Sequence, residues 1–208
     1  MEKIQPYTRR DFFKEIPDLE SKTLLDVGAS EHCIFSMAYL MFLYDKRART
    51  KEKLDEKAYN ESKKFRKNIV TVDLEYKGKL SSILPETSIC ADARKLPFDN
   101  ESFDIVAIGW LLDCFENNSE VVRTINESVR VLKSNGYLIG DAPLHPPITS
   151  NEKLKTPKLL SNPKYSKQIE KYRRVMTNEG IEFLKEGIGF NTNEIGNHLT
   201  FYFIGQKR

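Results

Sequence analysis

The sequence predicts an α/β fold built on a mostly parallel sheet with helices on both faces. Three observations carry this. Short apolar strands alternate with helical segments along most of the chain. Two of the early strands end in an acid, Asp26 and Asp73, and a third is followed by Asp92. The first strand runs directly into Gly28, at the turn beyond a strand's carboxyl end where such sheets take up ligands. At 208 residues the chain is long enough for one well-buried domain and short for two.

Taken in order, Arg9–Leu19 reads as a short amphipathic helix, with Phe12, Phe13 and Ile16 on one face, so that residues 1–22 form an N-terminal helical segment. Thr23–Val27 is the first strand and Ile34–Tyr44 a mostly buried helix. Residues 45–67 turn abruptly to Lys, Arg, Glu and Asp and read as a charged insertion, a solvated helix or excursion. Asn68–Leu74 and Thr87–Cys90 are the second and third strands. Phe103–Gly109 is a nearly continuous apolar run, as expected of a central parallel strand. Ser119–Lys133 repeats Val122, Ile125, Val129 and Leu132 at helical spacing, with Ser119 as its expected cap and Gly136 as its left-handed stop. Tyr137–Gly140 is the fifth strand. Residues 145–176 read as a connection on the substrate side, followed by a helix over Thr177–Lys185 and a last strand over His198–Gln206.

Charge and composition narrow the function. A net charge of +3 is too weak by itself to predict nucleic-acid binding, which is read from a clustered basic face. Cys33, Cys90 and Cys114 are widely separated in apolar runs, so they predict buried thiols in a reducing compartment, with no metal site. The longest apolar stretch is well short of the roughly 18 residues of a membrane span, and no signal core follows the first residues. A soluble cytoplasmic protein without a membrane partner is the expectation.

A dinucleotide fingerprint requires Gly-x-Gly-x-x-Gly and an acid about 20 residues on. Here the later glycines are missing and Asp73 lies about twice as far away, so that reading fails. A second constellation is more specific: SICADARKLPFDNESFDIV at Ser88–Val106 and NESVRVLKSNGYLI at Asn126–Ile139. With these motifs the chain resembles the class I S-adenosylmethionine-dependent methyltransferases, in particular the type 11-like domains, over roughly Thr23–Gly140. The resemblance implies one Rossmann-like domain over residues 1–208, with a seven-stranded, mostly parallel sheet whose last strand is antiparallel. It implies S-adenosyl-L-methionine as cofactor. Asp26, Gly28, Ala29 and Ser30 match the turn that holds the methionine part, and Asp73 matches the acid that accepts from the ribose hydroxyls, with Leu74 beside it. Asp92 and Ala93 match the adenine-recognition step, and Gly109 and Trp110 fall beside the methyl-transfer centre. Leu96 and Phe98 either wall the adenine or pack the core.

Two departures from the family pattern stand out. Ser30 and His32 replace glycines of the common pattern, with Glu31 adding a negative charge where the cofactor carboxylate is expected, and the charged excursion between Tyr44 and Asn68 is longer than the resemblance implies for that connection. His145, Asp141 and Asp113 follow strand ends and are candidate bases, but none sits in a motif, so no catalytic residue is assigned. His145-Pro146-Pro147 follows the wrong strand to be the amino-methyltransferase motif. A small-molecule acceptor is favoured. An RNA acceptor, which the surplus Lys and Arg of residues 153–174 could serve, or a protein acceptor is the alternative. A non-catalytic binding or scaffold protein with a degenerate first motif is the rival from another class. The oligomeric state is not readable from the sequence.

Overall fold

Phe103–Gly109 is apolar at six of seven positions, Asp104 excepted, and it lies in the middle of the sheet, covered on both faces. A computed structural model of the chain describes residues 5–30, 33–48, 63–75, 87–145, 163–191 and 199–208. Among these, eight strands form one sheet: β1 (Gln5–Tyr7), β2 (Leu24–Val27), β3 (Ile69–Asp73), β4 (Thr87–Cys90), β5 (Phe103–Gly109), β6 (Leu132–Pro143), β7 (Ile181–Asn191) and β8 (Thr200–Lys207). Their order is β1-β7-β8-β6-β5-β2-β3-β4. β8 runs antiparallel to β6 and β7, and every other pairing is parallel. The expected antiparallel last strand is therefore β8, and β1 adds an eighth strand to the expected seven.

Alternation along the strands divides the core into two layers. Leu25, Val27, Val106, Ile108 and Leu138 pack on one face against α3 (Asn118–Val131) and α4 (Pro163–Asn178). Leu24, Ile105, Ala107 and Ile139 pack on the other against α1 (Arg9–Phe12) and α2 (Ile34–Ala48). The chain order reverses between β2 and β5, which sit side by side with Val27 opposite Ile108. Ligands of open α/β sheets bind in the crevice beyond such a reversal.

Several expectations need correction. The N-terminal segment is not one helix: β1 precedes α1, and two 3-10 turns, Phe13–Glu15 and Leu19–Ser21, follow it. Phe12, Phe13 and Ile16 are nevertheless all buried, so the apolar face is real although its helical period is broken by Pro17 and the left-handed Asp18. The cap of α3 is Asn117, whose Oδ1 accepts from the Glu120 N–H at 3.0 Å, and not Ser119. In the turn after α3 the left-handed residue is Asn135 rather than Gly136. The helix expected over Thr177–Lys185 is absent. α4 occupies part of the expected 145–176 connection and ends at Asn178, Gly180 turns the chain at a positive φ, and β7 begins at Ile181. Of the charged insertion, α2 reaches Ala48 and a 3-10 turn spans Lys63–Asn68; residues 49–62 lie outside the described residues. Cys33 is buried as expected, and burial pushes its thiol up to about 12. Cys90 and Cys114 are exposed. No helix among the described residues is long and apolar enough to cross a membrane.

Two buried carboxylates fasten helical segments to strand ends. Asp26, at the tip of β2, is 1% exposed, and its Oδ2 accepts from the backbone N–H and hydroxyl of Ser36 at 2.8 and 2.7 Å. It thereby satisfies an orphan donor in the first turn of α2. Desolvation outweighs these bonds and raises its pKa to about 6. Asp141, near the end of β6, is fully buried and takes Arg9 Nε at 2.8 Å and Nη2 at 3.1 Å, together with the Tyr7 hydroxyl at 3.0 Å. This cluster holds β1 and α1 against the carboxyl edge of the sheet.

Each of the two carboxylates gives a testable consequence. Arg9→Ala leaves Asp141 buried without its cation and is expected to cost about 3–5 kcal/mol in urea unfolding, whereas Arg9→Met with Asp141→Leu costs markedly less. For Asp26 the folded pKa lies above the unfolded one, so its contribution is full below pH 3.8 and lost as pH rises through about 6. Unfolding of wild type and Asp26→Asn between pH 4 and 7.5 should differ by a component of about 3 kcal/mol, present in wild type and absent from the variant.

Candidate functional site

A cavity of about 1080 Å³ opens at the carboxyl ends of β2, β3, β4 and β5. All ten positions that the resemblance assigns to the cofactor line it. Asp26, Gly28, Ala29 and Ser30 come from the β2–α2 turn, Asp73 and Leu74 from the end of β3, Asp92 and Ala93 from beyond β4, and Gly109 and Trp110 from the end of β5. The parallel register explains this convergence: β2 pairs with both β3 and β5, and β3 with β4, so their ends reach a common edge.

The first turn is tightly held. Gly28 has φ +71°, and the N–H groups of Gly28 and Ala29 both donate to the Val72 carbonyl, at 2.8 and 3.1 Å. A Cβ at Gly28 would stand 2.9 Å from Leu111 Cδ1, and one at Gly109 would stand 2.9 Å from the Phe35 ring. Both glycines thus allow these cavity-lining side chains to pack against the backbone at contact distance. Ser30 adopts the left-handed region at φ +51°, a conformation glycine reaches without strain. Its N–H donates to Asp73 Oδ2 at 2.7 Å, which secures the turn despite the extra Cβ. Glu31 and His32 lie outside the described residues.

The three strand-tip acids have different surroundings. Asp26 is turned toward Ser36 and α2, as described above. Asp73 accepts only backbone N–H groups in the bonds described, from Ser30 on Oδ2 and from Glu75 on Oδ1 at 3.2 Å. Asp92 is gripped by Arg94, whose hydrogen bonds hold its carboxyl below the usual range.

Several residues that line the cavity were not legible in the sequence. Arg9 lines the cavity, with its guanidinium 5.3 Å from the Phe35 ring and 5.8 Å from the Trp110 ring. Phe35, Arg94, Phe115 and Glu120 line it as well. The signal that could have found Arg94 was its place two residues after Asp92. Nothing local marks Arg9, which meets Asp141 across 132 residues.

Of the candidate bases, Asp141 is ruled out in that role, because it is buried and committed to Arg9 and Tyr7. Asp113 and His145 do come together, with Nε2 3.5 Å from Oδ2. Neither is among the described residues that line the cavity. Leu96 is buried in the core, and Phe98 packs edge-on against Phe103 at 4.9 Å; both serve packing rather than the cavity wall. Asp104 is structural: its Oδ2 takes the N–H and hydroxyl of Thr23, tying the start of β2 to β5.

Residues 56–140 match the family model described as a methyltransferase domain. No curated protein matches the chain. Among solved structures, the chain is similar to an S-adenosylmethionine-dependent methyltransferase from Methanosarcina mazei, at 17% identity over 90% of this chain and 93% of that one, with a TM-score of 0.55. An S-adenosylmethionine-dependent methyltransferase from Thermotoga maritima gives 16% identity over 97% and 88% of the two chains, with a TM-score of 0.56. Magnesium protoporphyrin IX methyltransferase from Synechocystis, solved with S-adenosylmethionine bound, gives 9% identity over 96% and 76%, with a TM-score of 0.54. The chain therefore has the fold of the class I S-adenosylmethionine-dependent methyltransferases, and its residues 56–140 match the methyltransferase-domain family.

Proposed function

We propose that this protein binds S-adenosylmethionine in the cavity and transfers its methyl group to a small-molecule acceptor. The observation that carries this is the convergence of all ten carried-over positions on one cavity at the reversal of strand order. The residues suit the cofactor chemically. Asp73 can still accept from two vicinal hydroxyls, since a carboxylate has about four lone-pair sites and two backbone N–H groups use two of them. Gly28 and Gly109 let Leu111 and Phe35 pack tightly against the turn and the end of β5, where a Cβ would clash. Five carboxylates and two guanidiniums line the cavity, a balance that favours a cationic ligand.

When bound, the cofactor supplies a methyl on a positively charged sulfur, a leaving group that needs no protonation. What remains for the protein is alignment and exclusion of water. Phe35, Trp110, Leu111 and Phe115 provide apolar walls for both purposes. The cavity lies at the upper end of the roughly 300–1000 Å³ range of small-molecule sites, which favours an acceptor held beside the cofactor in one enclosure. An RNA acceptor is the second reading, because the exposed side of α4 carries Lys164, Lys167 and Arg174.

Calorimetry with S-adenosylmethionine and S-adenosylhomocysteine tests the proposal; no binding at millimolar cofactor would overturn it and leave the scaffold reading. With binding present, Asp73→Ala should weaken affinity about tenfold or more, because it removes charge-assisted bonds to the ribose. Asp92→Ala should weaken it as well, and unchanged affinity in both would show that the carried-over positions do not contact the ligand. For RNA, affinity that falls steeply between 50 and 200 mM salt would move the acceptor to the second reading.

A further inference from the structure

Arg94 is placed to compete for the carboxylate that would recognise adenine. Its Nε lies 2.9 Å from Asp92 Oδ1 and 3.0 Å from Oδ2, its Nη2 lies 2.7 Å from Oδ2, and its backbone N–H lies 2.8 Å from Oδ1. Those four contacts match the roughly four acceptor sites a carboxylate offers. The other end of the guanidinium, Nη1, is bonded to Glu120 in the first turn of α3. Glu120 is itself fixed, since its Oε2 accepts from Asn117 Nδ2 at 2.8 Å and its N–H donates to Asn117 Oδ1. The Phe115 ring lies 6.0 Å from the guanidinium carbon. Arg94 is thus a short arm bridging Asp92 and a fixed anchor, Glu120. Arg94 and Asp92 are about one-third exposed (35% and 36%), so their pair can exchange at modest cost.

We propose that Arg94 is a specificity residue, an arm that covers Asp92 until the exocyclic amine of an adenine displaces it, and that then rests on Glu120 alone. This rests on the S-adenosylmethionine reading above. In the exchange the amine's N–H donors replace those of Nε and Nη2 on Asp92, the freed Nε and Nη2 turn to solvent, and the guanidinium keeps its bond to Glu120. A 6-oxo purine presents an acceptor at the same position. Facing Asp92 it would set oxygen against oxygen, but an undisplaced Arg94 offers it donors. Arg94 therefore weakens adenine binding and softens the rejection of hypoxanthine, two effects with opposite signs.

Calorimetry with S-adenosylhomocysteine and its deaminated analogue S-inosylhomocysteine separates the possibilities. Arg94→Ala should bind the adenine compound about two- to fivefold tighter, the equivalent of one partly exposed ion pair, and the inosine compound more weakly than wild type does. Weaker or equal adenine binding by Arg94→Ala, with wild-type binding intact, overturns the role of Arg94 alone. Wild-type protein that binds neither compound at millimolar concentration overturns the cofactor reading and this inference with it.

Discussion

The buried ion pair between Arg9 and Asp141 is the constraint on which the shape of the cavity depends. Asp141 stands directly across from Gly109 in the β5–β6 register, and its carbonyl accepts from the Trp110 N–H at 2.9 Å. Its side chain meanwhile fixes Arg9, which lies near the Phe35 and Trp110 rings. One residue thereby sets the exit of β5, the start of the β5–α3 loop and the wall contributed by the N-terminal segment. A charge pair in this position carries a desolvation penalty, and its stability comes from saturation. Both carboxylate oxygens of Asp141 are bonded to the Arg9 fork, and the Tyr7 hydroxyl adds a further donor. Burial and the adjacent carboxylate both push the Tyr7 hydroxyl well above its ordinary pKa, so it remains a donor across the physiological range.

Acids at the tips of parallel strands look alike in a sequence, yet their environments give them separate tasks. Asp26 is enclosed and acts as a bolt between β2 and α2. Asp73 organises the Ser30 turn while retaining acceptor capacity toward the cavity. Asp92 is occupied by a cation two residues away. A strand-end aspartate that only fastens a helix would look like Asp26, although Asp26 also borders the cavity.

What could be read in the sequence was whatever local period and burial on both faces of the sheet dictate. β2, β3, β4 and β5 fall within a residue of their expected ends; β2, β3 and β5 are short apolar runs closed by a turn, whereas β4 is an edge strand with no buried residue. β1 escaped because three residues containing a proline carry no period, and they pair only through β7. The error at Thr177–Lys185 has a different origin. Glu179-Gly180 is a helix stop, and the following IEFLKEGIG alternates irregularly because β7 carries a register shift between Phe183 and Lys185 that breaks the two-residue period. The site followed the same rule: positions set by strand ends were legible, whereas Arg9 and Glu120 depend on contacts between segments distant in the chain.

The charge pattern of the cavity bears on turnover under the proposed function. An excess of carboxylates attracts a sulfonium cation, but attraction that is uniform along the reaction lowers the ground state as much as the transition state and gives no acceleration. Some of the acids around the cavity are already compensated, Asp92 and Glu120 among them, by Arg94. Asp26 is bonded to Ser36 and has its pKa raised to about 6, and Asp141 is neutralised by Arg9. Glu116, which borders the cavity beside the Asn117 cap, lies at the end formed by the β5–α3 loop. Once the methyl has left, the neutral thioether no longer benefits from the field, so the same arrangement favours entry of cofactor and release of product.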